Sequence, residues 1–308
     1  FKNLSNIEAV SYNERFRGTG VAVVTPFRDG KIDFPALTTV LNHVINGRVE
    51  HIVCLGTTGE ATSLDQKEIN SVLDHTIKIV DGRVPIIFGP FGCNNTAELV
   101  EKIKATDLSG VDAIMASSPA YVRPTQEGIY QHYMNIADAS SKPVLIYNVP
   151  SRTAMKVSYE TIIRLGETHT NFVGVKEATA DFFALSKLIK HRPKDFLVLS
   201  GDDYTAFPTM ALGADGGISV IANAFPFEFS EMIRCAMYGD YDMGMKYHMQ
   251  LLDIHPWLYL EGNPTGVKGA LEDLGFCSRE VRLPLTPLSE GANESLLEAI
   301  EKALLTVK

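Results

Sequence analysis

From Gly20 onward the chain repeats one pattern about every 25–35 residues: a short apolar run, a tip of small or polar residues, then a longer stretch with helical spacing. The runs fall at 21–24, 52–55, 85–88, 113–115, 144–147, 172–175, 196–199 and 218–221, which makes eight. Each is rich in β-branched and apolar residues and largely lacks the in-and-out alternation of a half-exposed strand, so each predicts a strand buried on both faces. Between them Leu64, Ile69, Val72, Leu73, Ile77 and Val80 are spaced for one helix face, with Ser63 as candidate N-cap. Residues 125–139 and 181–190 predict helices in the same way. Eight strand–helix units imply a parallel sheet closed into a (β/α)8 TIM barrel. A doubly wound open sheet is the competing α/β arrangement. It would call for a glycine-rich nucleotide turn, and Gly89-Pro-Phe-Gly-Cys-Asn94 matches that turn poorly.

After residue 221 the strand pattern stops, and 226–238, 240–258, 264–274 and 293–305 predict helices. The expected organisation is therefore an N-terminal tail outside the fold (1–17), a barrel (18–225) and a C-terminal helical extension (226–308), part of which supplies the barrel's own outer layer. The tail is polar, carries Glu8 and Glu14, and resembles neither a secretory nor a transit peptide.

Composition narrows the chemistry. A net charge of −9 over 308 residues, with no Lys/Arg block, argues against nucleic acid and anionic membrane surfaces as partners. An anionic ligand would then depend on a few local cations. No apolar run is long enough to span a membrane. Cys54, Cys93, Cys235 and Cys277 are far apart and form no C-x-x-C, and the eight histidines form no metal-ligand pair. These features predict a cytoplasmic protein with reduced thiols and no metal.

Chemistry concentrates at the tips, because the active site of such a barrel lies at the C-terminal ends of its strands. Lys176 ends the sixth run, where burial would lower its pKa and free a nucleophilic amine; a strand-end lysine reaching to solvent is the plainer reading. Gly56-Thr57-Thr58-Gly59 offers two hydroxyls and backbone amides suited to a small carboxylate, or is an ordinary turn. Tyr147 ends the fifth run, next to Lys176, as a proton shuttle or a core tyrosine. Arg152 follows in a proline-held loop as a clamp for a second carboxylate or a solvated side chain. Asp202-Asp203 suggests a helix N-cap pair. Nucleophilic amine, carboxylate cradle, phenol and arginine together suit a 2-oxo acid, converted through an iminium into an enamine.

Five ordered motifs carry a resemblance: Gly56-Thr-Thr-Gly-Glu60, Tyr121-Val-Arg-Pro-Thr-Gln-Glu-Gly128, Tyr147-Asn-Val-Pro-Ser-Arg-Thr153, Gly174-Val-Lys-Glu-Ala178 and Leu199-Ser-Gly-Asp-Asp203. They resemble the pyruvate-dependent class I aldolases and, within them, the dihydrodipicolinate synthase family, from about Gly18 to the C-terminus and including Asn263-Pro264 and Val267-Lys268. The resemblance implies a cofactor-free homotetramer that condenses pyruvate with L-aspartate-4-semialdehyde on the diaminopimelate route to lysine. It implies that Lys176 forms the Schiff base and that Thr58 holds the pyruvate carboxylate. Thr57, Tyr147 and Tyr121 would relay protons, with Tyr121 coming from a neighbouring subunit. Arg152 would meet the semialdehyde carboxylate, and Gly201 and the Ile218 carbonyl would shape the site. Thr57 and Ser151-Arg152-Thr153 separate the chain from N-acetylneuraminate lyases and sugar-acid aldolases, which remain the alternatives together with a 4-hydroxy-2-oxoglutarate aldolase and a non-catalytic pyruvate-binding protein. Ala120 and Val122 depart from the family pattern, as do Gln66 and Ile69 against lysine-sensitive members, although Asn94 and Glu98 match. The departures predict weak or absent inhibition by lysine, an expectation that full inhibition at sub-millimolar lysine would overturn.

Overall fold

The computed structural model describes residues 12–305. Eight parallel strands close into a barrel: β1 (Gly18–Ala22), β2 (His51–Cys54), β3 (Ile86–Phe91), β4 (Ala113–Ser117), β5 (Val144–Asn148), β6 (Phe172–Glu177), β7 (Leu197–Ser200) and β8 (Gly216–Ser219). β1 closes the ring by pairing with both β2 and β8, with Gly20 opposite His51 and Ile218. All eight apolar runs are strands, displaced by a residue to a few from the bounds the sequence suggests. Alternation within each strand divides the interior. Val53, Ile87, Met115, Leu145, Leu197, Leu199 and Ile218 fill the barrel, while residues such as Val21, Ile52, Ile114, Ile146, Val175 and Val198 pack outward against helices.

The surrounding helices are α1 (Phe34–Asn46), α2 (Gln66–Val80), α3 (Thr96–Ala105), α4 (Gln126–Ala139), α5 (Tyr159–Thr168), α6 (Phe182–His191), α7 (Ala206–Ala211) and α8 (Pro226–Met237). The first six each begin at a capping side chain: Asp33, Asp65, Asn95, Thr125, Ser158 and Asp181 accept the backbone N–H three residues on. Asp65, not Ser63, caps α2, because Glu68 reaches back to the Asp65 amide and completes a capping box.

Beyond the barrel lie α9 (Tyr241–Leu252), α10 (His255–Tyr259), α11 (Thr265–Asp273) and α12 (Glu290–Leu305). The stretch 240–258 is two helices instead of one. Pro256 lacks the N–H that a helix interior needs, so the chain stops and restarts with proline in the first turn of α10. Every residue from Thr265 to Leu271 in α11 is buried. Gly266 permits this: a Cβ there would stand 2.5 Å from the Leu258 Cα, so only glycine lets α10 cross so closely. The crossing brings the segment after α10 over the C-terminal mouth of the barrel.

Of the expected tail, residues 1–11 lie outside the described ones. Tyr12–Phe16 form a 3₁₀ turn, and Phe16 is buried in the barrel interior, edge-on to His51. That aromatic belongs to the barrel floor and not to an excluded tail.

Candidate active site

At the C-terminal mouth a cleft of about 270 Å³ is lined by Gly56, Thr57, Thr58, Tyr147, Arg152, Lys176 and Gly201. Tips that are distant in sequence therefore meet, as barrel topology requires. Lys176 leads inward from β6, where Tyr147 on β5 and Leu199 on β7 are its register partners. Its amine lies 5.4 Å from the centre of the Tyr147 ring. The side chain fits because residue 201 is glycine: a Cβ there would come within 2.9 Å of both the Lys176 Cε and Cγ.

Lys176 is 7% exposed and forms no ion pair among the described residues. Burial is the main cause that pulls its pKa from 10.5 down to about 8; Asp203 opposes the shift and Arg152 adds to it. Near neutrality a usable fraction is the free amine. The Tyr147 hydroxyl shares a hydrogen bond of 3.1 Å with Thr57 Oγ1. Burial pushes that phenol upward, against smaller opposing effects of Thr57 and Arg152, so it keeps its proton at neutral pH. Behind it, Tyr133 donates to the carbonyls of Ala116 and Tyr147 and ties the ends of β4 and β5 together.

The threonine turn is held rigidly. Gly59 N–H donates to the Gly56 carbonyl, Glu60 N–H to the Thr57 carbonyl, and Thr25 Oγ1 to the Gly59 carbonyl. Leu55 and Glu60, on either side of Gly56–Gly59, both adopt positive φ, +57° and +51°. Left-handed backbone at a buried leucine is strained and is tolerated only where surroundings impose it. The surroundings here include a buried ion pair. Lys268 Nζ meets Glu60 Oε1 at 2.6 Å and the Glu280 carbonyl at 2.8 Å, and the Arg282 amide donates to Glu60 Oε2. Burial lowers the Lys268 pKa, with Glu60 the largest opposing effect.

Two residues of the expected set do not line the cleft of the single chain: Tyr121, expected from a neighbouring subunit, and Ile218, expected through its carbonyl. Tyr121 is 88% exposed on the loop after β4 and does not line the cleft. The Ile218 side chain belongs to the barrel interior, one layer below; Val220 is the residue of that segment at the cleft wall. The Asp202-Asp203 pair is not a helix N-cap, since Thr205 holds the N-cap position of α7 and no side chain caps that helix. Asp203 is instead buried and accepts from Val220 N–H, Ile221 N–H and the Tyr259 hydroxyl.

The sequence pattern assigns no role to Tyr259 and Asn263, yet both line the cleft. Asn263 donates to Thr58 Oγ1 at 3.0 Å, which leaves its own Oδ1 buried without a partner among the described residues. The signal in the sequence is Asn263-Pro264, which belongs to the family resemblance without pointing to a contact. Among the described residues no group of three or more His, Cys, Asp or Glu side chains is placed to hold a metal ion, and no helix is long and apolar enough to cross a membrane.

Comparison with known proteins fits this geometry. The family model for the dihydrodipicolinate synthetase family matches residues 15–303. The 4-hydroxy-tetrahydrodipicolinate synthase of Flavobacterium psychrophilum is 43% identical over 284 residues, covering 92% of this chain and 97% of the relative. That of Cytophaga hutchinsonii is 42% identical over 289 residues, covering 94% and 95%. Among solved structures, dihydrodipicolinate synthase from Aquifex aeolicus superposes with a TM-score of 0.90 at 37% identity, covering 94% of this chain and 99% of that one. A monomeric dihydrodipicolinate synthase variant gives 0.92 at 34% identity, covering 95% and 98%. The Acinetobacter baumannii enzyme, solved with pyruvate, gives 0.89 at 40% identity, covering 94% and 99%. The chain therefore belongs to the dihydrodipicolinate synthetase family and is an enzyme of the class I aldolase type.

Proposed function

We propose that this chain makes 4-hydroxy-tetrahydrodipicolinate by condensing pyruvate with L-aspartate-4-semialdehyde through an imine on Lys176. The observation that carries the reading is a buried amine with a pKa of about 8 at the base of a cleft whose rim holds two threonines, a phenol and a guanidinium. The neutral amine adds to the pyruvate C2 carbonyl, and the carbonyl oxygen leaves as water once it has taken up protons. Tyr147, still protonated and linked to Thr57, is suited to pass those protons. Thr58, set by Asn263, and the turn around it suit the pyruvate carboxylate. Loss of a C3 proton gives an enamine, whose C3 attacks the semialdehyde carbonyl carbon. The amino group of the bound semialdehyde then adds to C2 and displaces Lys176, closing the ring.

Arg152, on the helical turn Pro150–Thr153, faces the open side of the cleft and suits the semialdehyde carboxylate. Tyr121 carries the relay to completion only if a second copy brings it in, which favours a homo-oligomer, with a homotetramer as the form we propose. Its backbone supports such a role: Tyr121 sits at φ +70° with its N–H bound to the Thr153 carbonyl, an imposed conformation that projects the ring outward.

Borohydride trapping in the presence of pyruvate tests the nucleophile. The wild-type chain should gain a reduced adduct on Lys176 and Lys176→Ala should gain none; an equal adduct in the variant would end the assignment.

A further inference from the structure

Behind the cleft residues Val220 and Tyr259 lies a buried carboxylate that the reaction scheme leaves unused. Asp203 is 2% exposed, and its Oδ2 gathers three donors: Val220 N–H at 3.0 Å, Ile221 N–H at 2.7 Å and the Tyr259 hydroxyl at 3.0 Å. The two amides anchor it to the segment leaving β8. The third donor comes from α10, more than fifty residues away, and ties Asp203 to the C-terminal helices. Tyr259 keeps part of its ring at the surface and turns its hydroxyl into the cleft wall, where burial and the neighbouring Asp203 drive its pKa well above 10. It is therefore a fixed proton donor to Asp203 across the whole working pH range.

We propose that Tyr259 is a positioning residue for the imine-forming amine: its hydroxyl fixes the Asp203 carboxylate and offsets part of the negative charge that reaches Lys176. Among the described residues Asp203 is the carboxylate whose charge acts on the Lys176 amine, and it favours the ammonium form. An O–H dipole with its positive end on that carboxylate weakens this effect and so keeps more of the amine neutral. The other groups facing the amine act in known directions. Arg152, after β5, disfavours the ammonium; Tyr147 on β5 is protonated; Asp202 lines the cleft and points its carboxylate at Tyr204 N–H and the Thr205 hydroxyl. Glu177, next along β6, is tied to Asn148 and to Thr179 N–H. His255 on α10 packs edge-on to Tyr204 and feels the charge of Asp203, but burial outweighs that charge and lowers its pKa. Tyr259 is thus the group through which the C-terminal helices act on the chemistry at β6.

The inference rests on Lys176 being the nucleophile. Tyr259→Phe removes only the hydroxyl and keeps the packed ring. The readout is the rate of borohydride-trappable adduct formation with pyruvate from pH 6 to 9.5, in wild type and variant. The expected result is a midpoint about half a pH unit higher in the variant. Below the midpoint the rate follows the neutral fraction, so this is a loss of roughly threefold near pH 7 that vanishes at pH 9.5. A merely structural role would lower the rate by the same factor at every pH, and that outcome, or an unmoved midpoint, would overturn the proposal. Asp203→Asn gives the opposite displacement, a lower midpoint, because the negative charge itself is gone. If the wild-type chain forms no adduct on Lys176, the nucleophile assignment fails before Tyr259 is tested.

Discussion

Two lysines are buried among the described residues, and they are buried for opposite ends. Lys268, in α11, is fully enclosed and matched: Glu60 at 2.6 Å, the Glu280 carbonyl at 2.8 Å, and the Phe27 ring beneath it with its centroid 4.2 Å away. Lys176, at the end of β6, is almost as enclosed and forms no ion pair among the described residues. In both, burial is the largest cause lowering the pKa. At Lys268 the Glu60 carboxylate opposes burial both by its charge and by a hydrogen bond, and the pair rivets α11 to the threonine turn. At Lys176 only the charge of Asp203 opposes burial, with no hydrogen bond or ion pair to the amine among the described residues, and the amine is left ready to lose its proton near pH 8. Burial alone does not make a lysine reactive; burial without a partner does.

The sharpest way to break the comparison is to unmatch the matched lysine. Lys268→Met removes the counter-charge from a buried Glu60, which leaves an uncompensated carboxylate and costs about 3–5 kcal/mol. For a chain of this size that lowers Tm by roughly 10 °C in a thermal melt. Adding Glu60→Gln should restore most of the loss, since the glutamine still accepts from Arg282 N–H without a charge to bury. A single variant as stable as the wild type would mean that the pair does not hold the turn.

Lys176→Met should behave the other way and stabilise. With a folded pKa of about 8 against 10.5 unfolded, the unfolded chain holds the extra proton between those values. Stability therefore rises with pH through that window, and below about 8 the folded state bears the full cost of a buried ammonium. That cost is on the order of 3 kcal/mol at most. The variant, although inactive, should be more stable than wild type at pH 7, with the gap closing as pH approaches 10.5. Urea melts at three pH values measure it, and a variant less stable at pH 7 would contradict the unmatched state of the amine.

The two lysines also differ in how visible they are in the sequence. Lys176 ends an apolar run, and a run with a polar tip announces both strand and rim, so period and position suffice to find it. Thr57, Thr58, Tyr147 and Arg152 are visible for the same reason, being tips of neighbouring units. Lys268, Tyr259, Asn263 and the true role of Asp203 depend on where α10 and α11 pack, which local pattern does not encode. Lys268 does leave one trace: a lone charge between Val267 and Ala270-Leu271, in a helix whose other buried positions are all apolar or small. Tyr259 leaves none, because an aromatic at a helix end has the same appearance whether its hydroxyl meets solvent or a carboxylate. The helix that carries Tyr259 starts afresh with Pro256 in its first turn, and a continuous helical pattern over 240–258 hides that restart.

Arg152 sharpens the comparison at its smallest scale, since it is the cation that touches the unmatched lysine's balance. It stands on an exposed turn, and its positive charge disfavours the ammonium of Lys176. Two effects should separate in Arg152→Ala. Loss of a charge-assisted contact to the semialdehyde carboxylate should cut kcat/KM for that substrate by roughly a hundredfold. Removing the cation should also raise the pH midpoint of pyruvate trapping, by only about a few tenths of a unit, because the guanidinium is solvated and its field screened. Pyruvate adduct formation at pH 8.5 and above should then be almost untouched. Arg152→Lys retains the charge but not the planar fork; it should restore the trapping midpoint while recovering little of the semialdehyde activity. If the adduct collapsed in Arg152→Ala while semialdehyde use held, the arginine would belong to the first substrate, and the carboxylate cradle would have to be drawn around it rather than around Thr58.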